Sequence, residues 1–208
     1  MFPIDIWLAY TLASILIVLA PGPDIVLSIA RGLSQGRLAA TVSGLGAGTG
    51  ILLHSLAATF GLALLIQTSS AAFLLLKLAG TAYLVWLGAR ALFSRNLVNF
   101  TPTARRPLHA IYLAGLMSNV LNPKIGLFVL AFIPQFVSAE RGPVDAQMLT
   151  YGAWLAVIAT VGLSFIGSFA SVLSRWLLRR PRVVAGINIG AGLTFVMTGI
   201  SAATITHR

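Results

Sequence analysis

The chain has 208 residues, of which 58% are hydrophobic and only 9% charged, and its mean hydropathy of +0.94 excludes an ordinary soluble domain. The absence of cysteine excludes thiol redox chemistry and thiolate metal sites. A net charge of +10 would suit nucleic acid, but the basic residues stand in connectors between apolar stretches and are better explained as topology signals. Composition therefore predicts one integral membrane domain over residues 1–208, with the lipid bilayer and not nucleic acid as its partner.

Six stretches are long and apolar enough to cross the hydrocarbon core, which takes about 20 helical residues. In chain order they cover about residues 6–30, 38–66, 71–93, 109–137, 147–175 and 183–206. A polar connector over about 94–108 divides them into two triplets, with repeat 1 at about 1–97 and repeat 2 at about 105–208. Three spans reverse the side from which the chain enters the membrane, so the second triplet is inverted. We expect an all-α membrane protein of six transmembrane helices, built as two inverted three-helix repeats.

Basic residues are distributed unevenly over the connectors. One side has only Arg141 and Arg208, whereas the first, third and fifth connectors and their edges carry Arg31, Arg37, Arg90, Arg95, Arg105, Arg106, Arg175, Arg179, Arg180 and Arg182. Positive charge is retained on the cytoplasmic side, so this bias predicts cytoplasmic odd-numbered connectors and both termini outside, in a bacterial inner membrane. An aromatic belt at the outer interface is then expected from Trp7, Tyr10, Tyr151 and Trp154.

Proline breaks interrupt two predicted spans, at Pro21-Gly22-Pro23-Asp24 in the first and at Asn122-Pro123-Lys124 in the fourth. A shift of 100 residues superposes Pro23 on Pro123 and Asp24 on Lys124. Proline has no N–H and clashes with the preceding turn, and in lipid the freed carbonyls are tolerated only against protein or a watery cavity. Matched breaks in two halves of a membrane protein therefore indicate a transport site near the midplane.

Each break also has the pattern of a new helix start, with Gly22 or Asn122 as cap and the following proline as first residue. Asp24 and Lys124 then share the second helical position, where the helix dipole favours a carboxylate and disfavours a lysine. Asp24 is the only acid within any predicted span, and a lone charge there is costly. We expect the two to pair across the breaks, either as part of a binding site or as an ion pair that only locks two kinks.

Other polar residues of the predicted spans have two interpretations each. Asn119 and Asn122 lie on one helical face and would hold a substrate amine, or would form only interhelical hydrogen bonds. Pro123 removes the amide that would have met the Asn119 carbonyl, which leaves a further acceptor. Lys77 lines the cavity or extends to the interface, and His54 relays protons or bonds to a neighbouring helix.

Glycines recur at four-residue spacing in two predicted spans. They are Gly44, Gly46, Gly48 and Gly50 in the second span, and Gly186 and Gly190 in the sixth. Such spacing permits close contact between membrane helices. A nucleotide-binding loop is excluded because no strand precedes the glycines. These glycines are therefore predicted to pack helices together.

Three runs of sequence resemble the LysE/RhtB-type amino-acid exporters, in the right order and over essentially the whole chain. They are Ala20-Pro21-Gly22-Pro23-Asp24, Lys77-x-x-Gly80-x-x-Tyr83-Leu84 and Asn119-x-x-Asn122-Pro123-Lys124. The resemblance implies export of an amino acid or close derivative, in the range of threonine, homoserine, lysine and leucine, by proton antiport without a cofactor. The single intramembrane acid favours a neutral substrate, because a dibasic one would need a second carboxylate. Whether the protein forms a homo-oligomer stays open.

Other classes of protein fit less well. A membrane-embedded metal enzyme needs several acidic ligands, and His54 is not accompanied by a Gly-x-Ser-x-Gly turn. A metal ion transporter of this design would have to ligate its ion with one intramembrane carboxylate. A non-transporting assembly subunit would explain the spans but would leave the matched breaks without a role.

Overall fold

The computed structural model describes residues 3–20, 22–68 and 104–170, together with single positions between 78 and 86 and between 172 and 197. Most of the predicted third and sixth spans therefore lie outside the described residues. Pro21, Lys77 and Gly190 lie outside them too. At Gly186, an added Cβ would have no described atom within 4 Å.

Every regular element in the described ranges is helical. The α-helices are α1 (Ile4–Leu19), α2 (Pro23–Gln35), α3 (Arg37–Thr68), α4 (Leu108–Val120), α5 (Pro123–Phe132) and α6 (Val144–Ser168), and two short 3-10 helices cover Ile133–Phe136 and Ala139–Arg141. The expected all-α class is thus confirmed, and no strand occurs in these ranges.

Some of the described helices are long and apolar enough to be candidate membrane spans. The helix α6 is long and apolar enough to cross a membrane alone. Two further candidates are helix pairs: α1 and α2 meet at 64°, and α4 meets the helical segment Pro123–Phe136 at 55°. Each pair passes the same test only when taken together, so one to three candidate spans are found among the described residues.

The helices after the two breaks begin at the predicted residues. Gly22 is the extended N-cap of α2 and Pro23 its first residue. Asn122 caps α5, and its side-chain oxygen accepts a hydrogen bond of 3.1 Å from the Lys124 amide. Proline suits the first position because its missing N–H would have no helical partner there. These starts follow from local chemistry, which is why the sequence was sufficient to predict them.

The helix α3 lies between α4 and α6, and its spaced glycines face both neighbours. Gly44 and Gly48 lie against α6, whereas Gly46 and Gly50 lie against α4. A Cβ added at Gly46 would collide with the main chain of Tyr112. Residues four apart share a helical face, so two interleaved pairs let the backbones of two different helices approach α3.

An aromatic cluster joins α1, α5 and α6 and corrects the predicted belt. Tyr10 and Tyr151 are fully buried, and the Tyr10 hydroxyl donates to the Tyr151 carbonyl at 2.7 Å. The ring of Tyr10 stacks on Phe132 at 5.8 Å, and Trp7 lies 5.3 Å from Tyr151. The belt prediction is wrong for the two tyrosines, because their side chains face other helices and not lipid. The position of a residue along the chain does not show which helical face meets a neighbouring helix.

Candidate functional site

The carboxylate of Asp24, in the first turn of α2, is bound by three side chains around the second break. Ser118 donates to Oδ1 at 2.7 Å, while Asn119 and Asn122 donate to Oδ2 at 2.9 and 3.3 Å. Asp24 is only 8% exposed. Hydrogen bonds to an ionised group are stronger than neutral ones, and here they replace the water that the buried charge has lost.

The ammonium of Lys124 is bound at the end of α1. Its Nζ donates to the carbonyl of Ala20 at 3.0 Å and lies 3.4 Å from the carbonyl of Ile17. In a continuous helix the Ile17 carbonyl would meet the N–H of residue 21, which proline does not have. A cation is favoured at the negative C-terminal end of a helix dipole. The positive charge of Lys124 is thus disfavoured at the start of its own helix, α5, and stabilised by the carbonyls at the end of α1.

The direct ion pair expected between Asp24 and Lys124 is not formed. Within the described residues no hydrogen bond joins them, because each charge has neutral partners of its own nearby. Both side chains nevertheless line the same cavity. Gly22 makes room for the lysine, since a Cβ there would lie only 2.9 Å from Nζ.

A small cavity is lined by both charged side chains, and all six described α-helices contribute to its wall. Its volume is about 10 Å³, which is room for about one water molecule. The polar lining consists of Asp24, Asn119 and Lys124. The remaining lining is aliphatic: Ile17, Val18, Ile25, Ile51, Ile125, Ala159 and Leu163. The conformation is therefore closed around a site that has one charge of each sign.

Asn119 is the most heavily used polar residue of the site. Its Nδ2 donates to Asp24, and its carbonyl accepts from the Asn122 amide at 2.9 Å and lies 3.1 Å from His54 Nε2. Its Oδ1 is buried and has no hydrogen-bond donor among the described residues. An acceptor in that state is available for an N–H group of a ligand.

The sequence analysis predicted five site residues that the fold brings together: Asp24, Lys124, Asn119, Asn122 and Gly22. It overlooked Ser118, which provides the shortest bond to Asp24. One signal was present: Ser118 precedes Asn122 by four residues and so shares its helical face. The positions of Pro21 and Lys77 lie outside the described residues. The fold thus brings one acidic and one basic side chain to the same cavity.

Comparison with known proteins gives a consistent result. The family model for LysE type translocators matches residues 15–205. A homoserine/homoserine lactone efflux protein of Salmonella typhimurium is 29% identical over 202 residues, which cover 97% of each chain. A leucine efflux protein of Klebsiella pneumoniae is 28% identical over 205 residues, covering 96% of this chain and 95% of the relative.

A membrane protein of Vibrio cholerae is 32% identical over 202 residues, which cover 97% of this chain and 98% of that protein. No solved structure matches the chain. The similarity to efflux proteins therefore extends over nearly the whole sequence, and the family match spans the positions of both proline breaks.

Proposed function

Because the chain belongs to the LysE type translocator family, we propose that it exports neutral amino acids from the bacterial cytoplasm in exchange for protons. The chain is a membrane transporter and not an enzyme. Relatives named for homoserine and leucine efflux support the substrate class. The observation that carries the proposal is a cavity among buried residues that is lined by both Asp24 and Lys124.

In the proposed architecture, six spans form two inverted triplets in the inner membrane, with both termini outside. The pairs α1–α2 and α4–α5 are the first and fourth spans, each broken at its prolines near the midplane. The bends of 64° and 55° at positions 100 residues apart support this arrangement. Further support comes from the bonding, because the charge of each break is held by residues of the other break.

The substrate binds with its two charged ends on opposite groups of the cavity. Its ammonium contacts the Asp24 carboxylate and the free Oδ1 of Asn119. Its carboxylate contacts Lys124 Nζ and the first amides of α2, since a helix start is a favourable anion site. When the substrate carboxylate accepts hydrogen bonds from Lys124 Nζ, it replaces the α1 carbonyls as the acceptor of that ammonium.

The side chain of the substrate contacts the aliphatic part of the wall. A second amine, as in lysine, would find no further carboxylate there, because Asp24 is the only acid among the described residues that line the cavity. Burying an unpaired charge is costly, whereas burying a branched alkyl group is favourable. The wall therefore supports a neutral, and in particular an aliphatic, amino acid.

Proton coupling follows from competition for one carboxylate. When the substrate leaves, a proton takes the place of its ammonium on the Asp24 carboxylate. A zwitterion has no net charge, so each exchange of one neutral amino acid for one proton moves one positive charge across the membrane. The cavity of about 10 Å³ is too small for an amino acid, and the two triplets must rock apart to admit one. Toward the N-terminal end of α1 the buried aromatic cluster around Tyr10 closes the route in this conformation.

The test uses purified protein in liposomes, with radiolabelled L-leucine and L-homoserine as probes. We expect a pH gradient to drive accumulation by the wild type and not by Asp24→Asn, because an amide cannot exchange a proton at the working pH. The matched control is Asp145→Asn, which changes an exposed acid at the start of α6.

Gradient-driven transport at the normal rate by correctly inserted Asp24→Asn would show that Asp24 does not couple protons. If the wild type transports neither probe nor any other amino acid, the non-transporting subunit becomes the better explanation.

A further inference from the structure

The break before α5 leaves one carbonyl without its helical donor, and a distant helix replaces that donor. A regular helix would pair the Asn119 carbonyl with the N–H of residue 123, which is a proline. The carbonyl accepts from the Asn122 amide at 2.9 Å and also lies 3.1 Å from Nε2 of His54, a residue of α3 that is 65 positions away in the sequence. Because the carbonyl only accepts, the imidazole must carry its proton on Nε2.

Two glycines let α3 and the break approach closely enough for this bond. Gly126 lies under the imidazole, and a Cβ there would lie 3.1 Å from the His54 ring carbon Cε1. Gly50 is one turn before His54 on the same face of α3, and a Cβ there would lie 2.7 Å from Asn119 Oδ1. Thus α3 holds Asn119 at two points: the carbonyl through His54 and the side chain against Gly50.

We propose that His54 is a positioning residue, which holds Asn119 so that its amide is directed at Asp24. The imidazole acts as a fixed hydrogen-bond donor in place of the amide that Pro123 lacks. It does not pass protons to the site, because the group between it and Asp24 is a main-chain carbonyl that cannot be protonated under working conditions. The role is distinct from that of Asp24, the residue proposed to exchange the proton.

A pair of substitutions separates positioning from proton relay. Glutamine can place an amide N–H near the position of Nε2 but cannot relay a proton, whereas leucine does neither. We expect His54→Gln to keep transport within about threefold of wild type and His54→Leu to lose about tenfold or more. The leucine removes the donor from α3 and leaves the Asn119 carbonyl with only the bond from the neighbouring Asn122 amide, among the described residues. The pH profile of His54→Gln should match that of the wild type. His109→Gln, which changes an exposed histidine in the first turn of α4, is the matched control.

The transport readout rests on the proposed function, so two measurements independent of it accompany the experiment. Nitrogen NMR of ¹⁵N-histidine-labelled protein should assign the Nε2–H tautomer to the signal that His54→Gln removes. Thermal unfolding should show a lower midpoint for His54→Leu than for His54→Gln. If the wild type transports neither L-leucine nor L-homoserine, these two results still decide the role of His54.

Three results would overturn the proposal. One is a His54→Gln protein that folds but is as inactive as His54→Leu, which indicates a relay. Another is full activity and unchanged stability of His54→Leu. The third is an Nδ1–H tautomer of His54, because Nε2 could then not donate to the Asn119 carbonyl.

Discussion

At the scale of single residues, each buried charge of the site is hydrogen-bonded by neutral groups that belong to the other proline break. Asp24 stands after the first break, but its donors surround the second. Lys124 stands after the second break, but it binds carbonyls that end α1. Removing one hydrogen-bond partner of a buried charge costs about 1.5–3 kcal/mol. The two breaks are therefore coupled energetically without a direct ion pair.

Substitution of Ser118 tests the bonding of Asp24. We expect Ser118→Ala to lower the free energy of unfolding by about 1.5–3 kcal/mol, because Oδ1 loses a hydrogen bond to a charged group. The measurement is denaturant unfolding in detergent. Ser164→Ala is the matched control, since Ser164 Oγ is buried and has no hydrogen-bond partner in the described part of the chain. Equal effects of both substitutions would show that the bond to Asp24 contributes nothing to stability.

Substitution of Gly22 separates function from folding. A Cβ at Gly22 would lie 2.9 Å from Lys124 Nζ, and the extended backbone there accepts any residue. The flexible lysine can move away, so we expect Gly22→Ala to keep a melting midpoint within about 3 °C of wild type. Transport should fall, because the ammonium no longer faces the cavity. The idea fails if Gly22→Ala transports L-leucine with unchanged KM and maximal rate.

At the scale of elements, the position of α3 depends on two glycine faces and not on its hydrophobicity. Membrane helices gain little from apolar burial against one another, because lipid is equally apolar, so close packing and hydrogen bonds decide their association. Interleaved glycines at 44, 46, 48 and 50 give α3 this contact with α4 and α6 at the same level. His54, one turn further on, adds a polar contact to the same helix.

A pair of alanine substitutions within α3 tests this packing. At Gly46 an added methyl would collide with main-chain atoms of Tyr112, whereas at Gly61 it would meet no atom of the described residues within 4 Å. We expect Gly46→Ala to lower the free energy of unfolding by about 1–3 kcal/mol through overpacking. Gly61→Ala should be neutral or stabilise the helix by up to about 1 kcal/mol. Both are measured by thermal unfolding, and a tolerant Gly46→Ala would mean that α4 packs further from α3.

At the scale of the whole molecule, the absence of cysteine gives a direct test of orientation. Arg105 and Glu140 are both exposed and lie at opposite ends of the α4–α5 pair. Arg105 is followed by Arg106, whereas the segment at Glu140 carries Arg141 together with the acids Glu140 and Asp145. The more basic end is expected in the cytoplasm. In intact spheroplasts an impermeant maleimide should label Glu140→Cys and not Arg105→Cys. In inside-out vesicles the pattern should reverse, and labelling of Arg105→Cys from outside would invert the proposed direction of the chain.

Much of this protein follows from its sequence because the relevant chemistry is local. Proline without an N–H fixes where α2 and α5 begin, and glycine or asparagine before it supplies the cap. The bounds expected for the second span, about 38–66, agree closely with Arg37–Thr68. The scarcity of intramembrane charge singled out Asp24 and Lys124 before any contact was known.

The partners of these residues required the tertiary structure. Whether Lys124 binds Asp24 or the end of α1, whether Ser118 and His54 reach the breaks, and whether Tyr10 faces lipid or protein all depend on helices far apart in the sequence. Hydropathy fixes only which segments leave water, since every apolar face is equally satisfied by lipid. The choice of helical neighbours is made by steric fit at glycines and by hydrogen bonds across the breaks, and these exist only once the bundle is assembled.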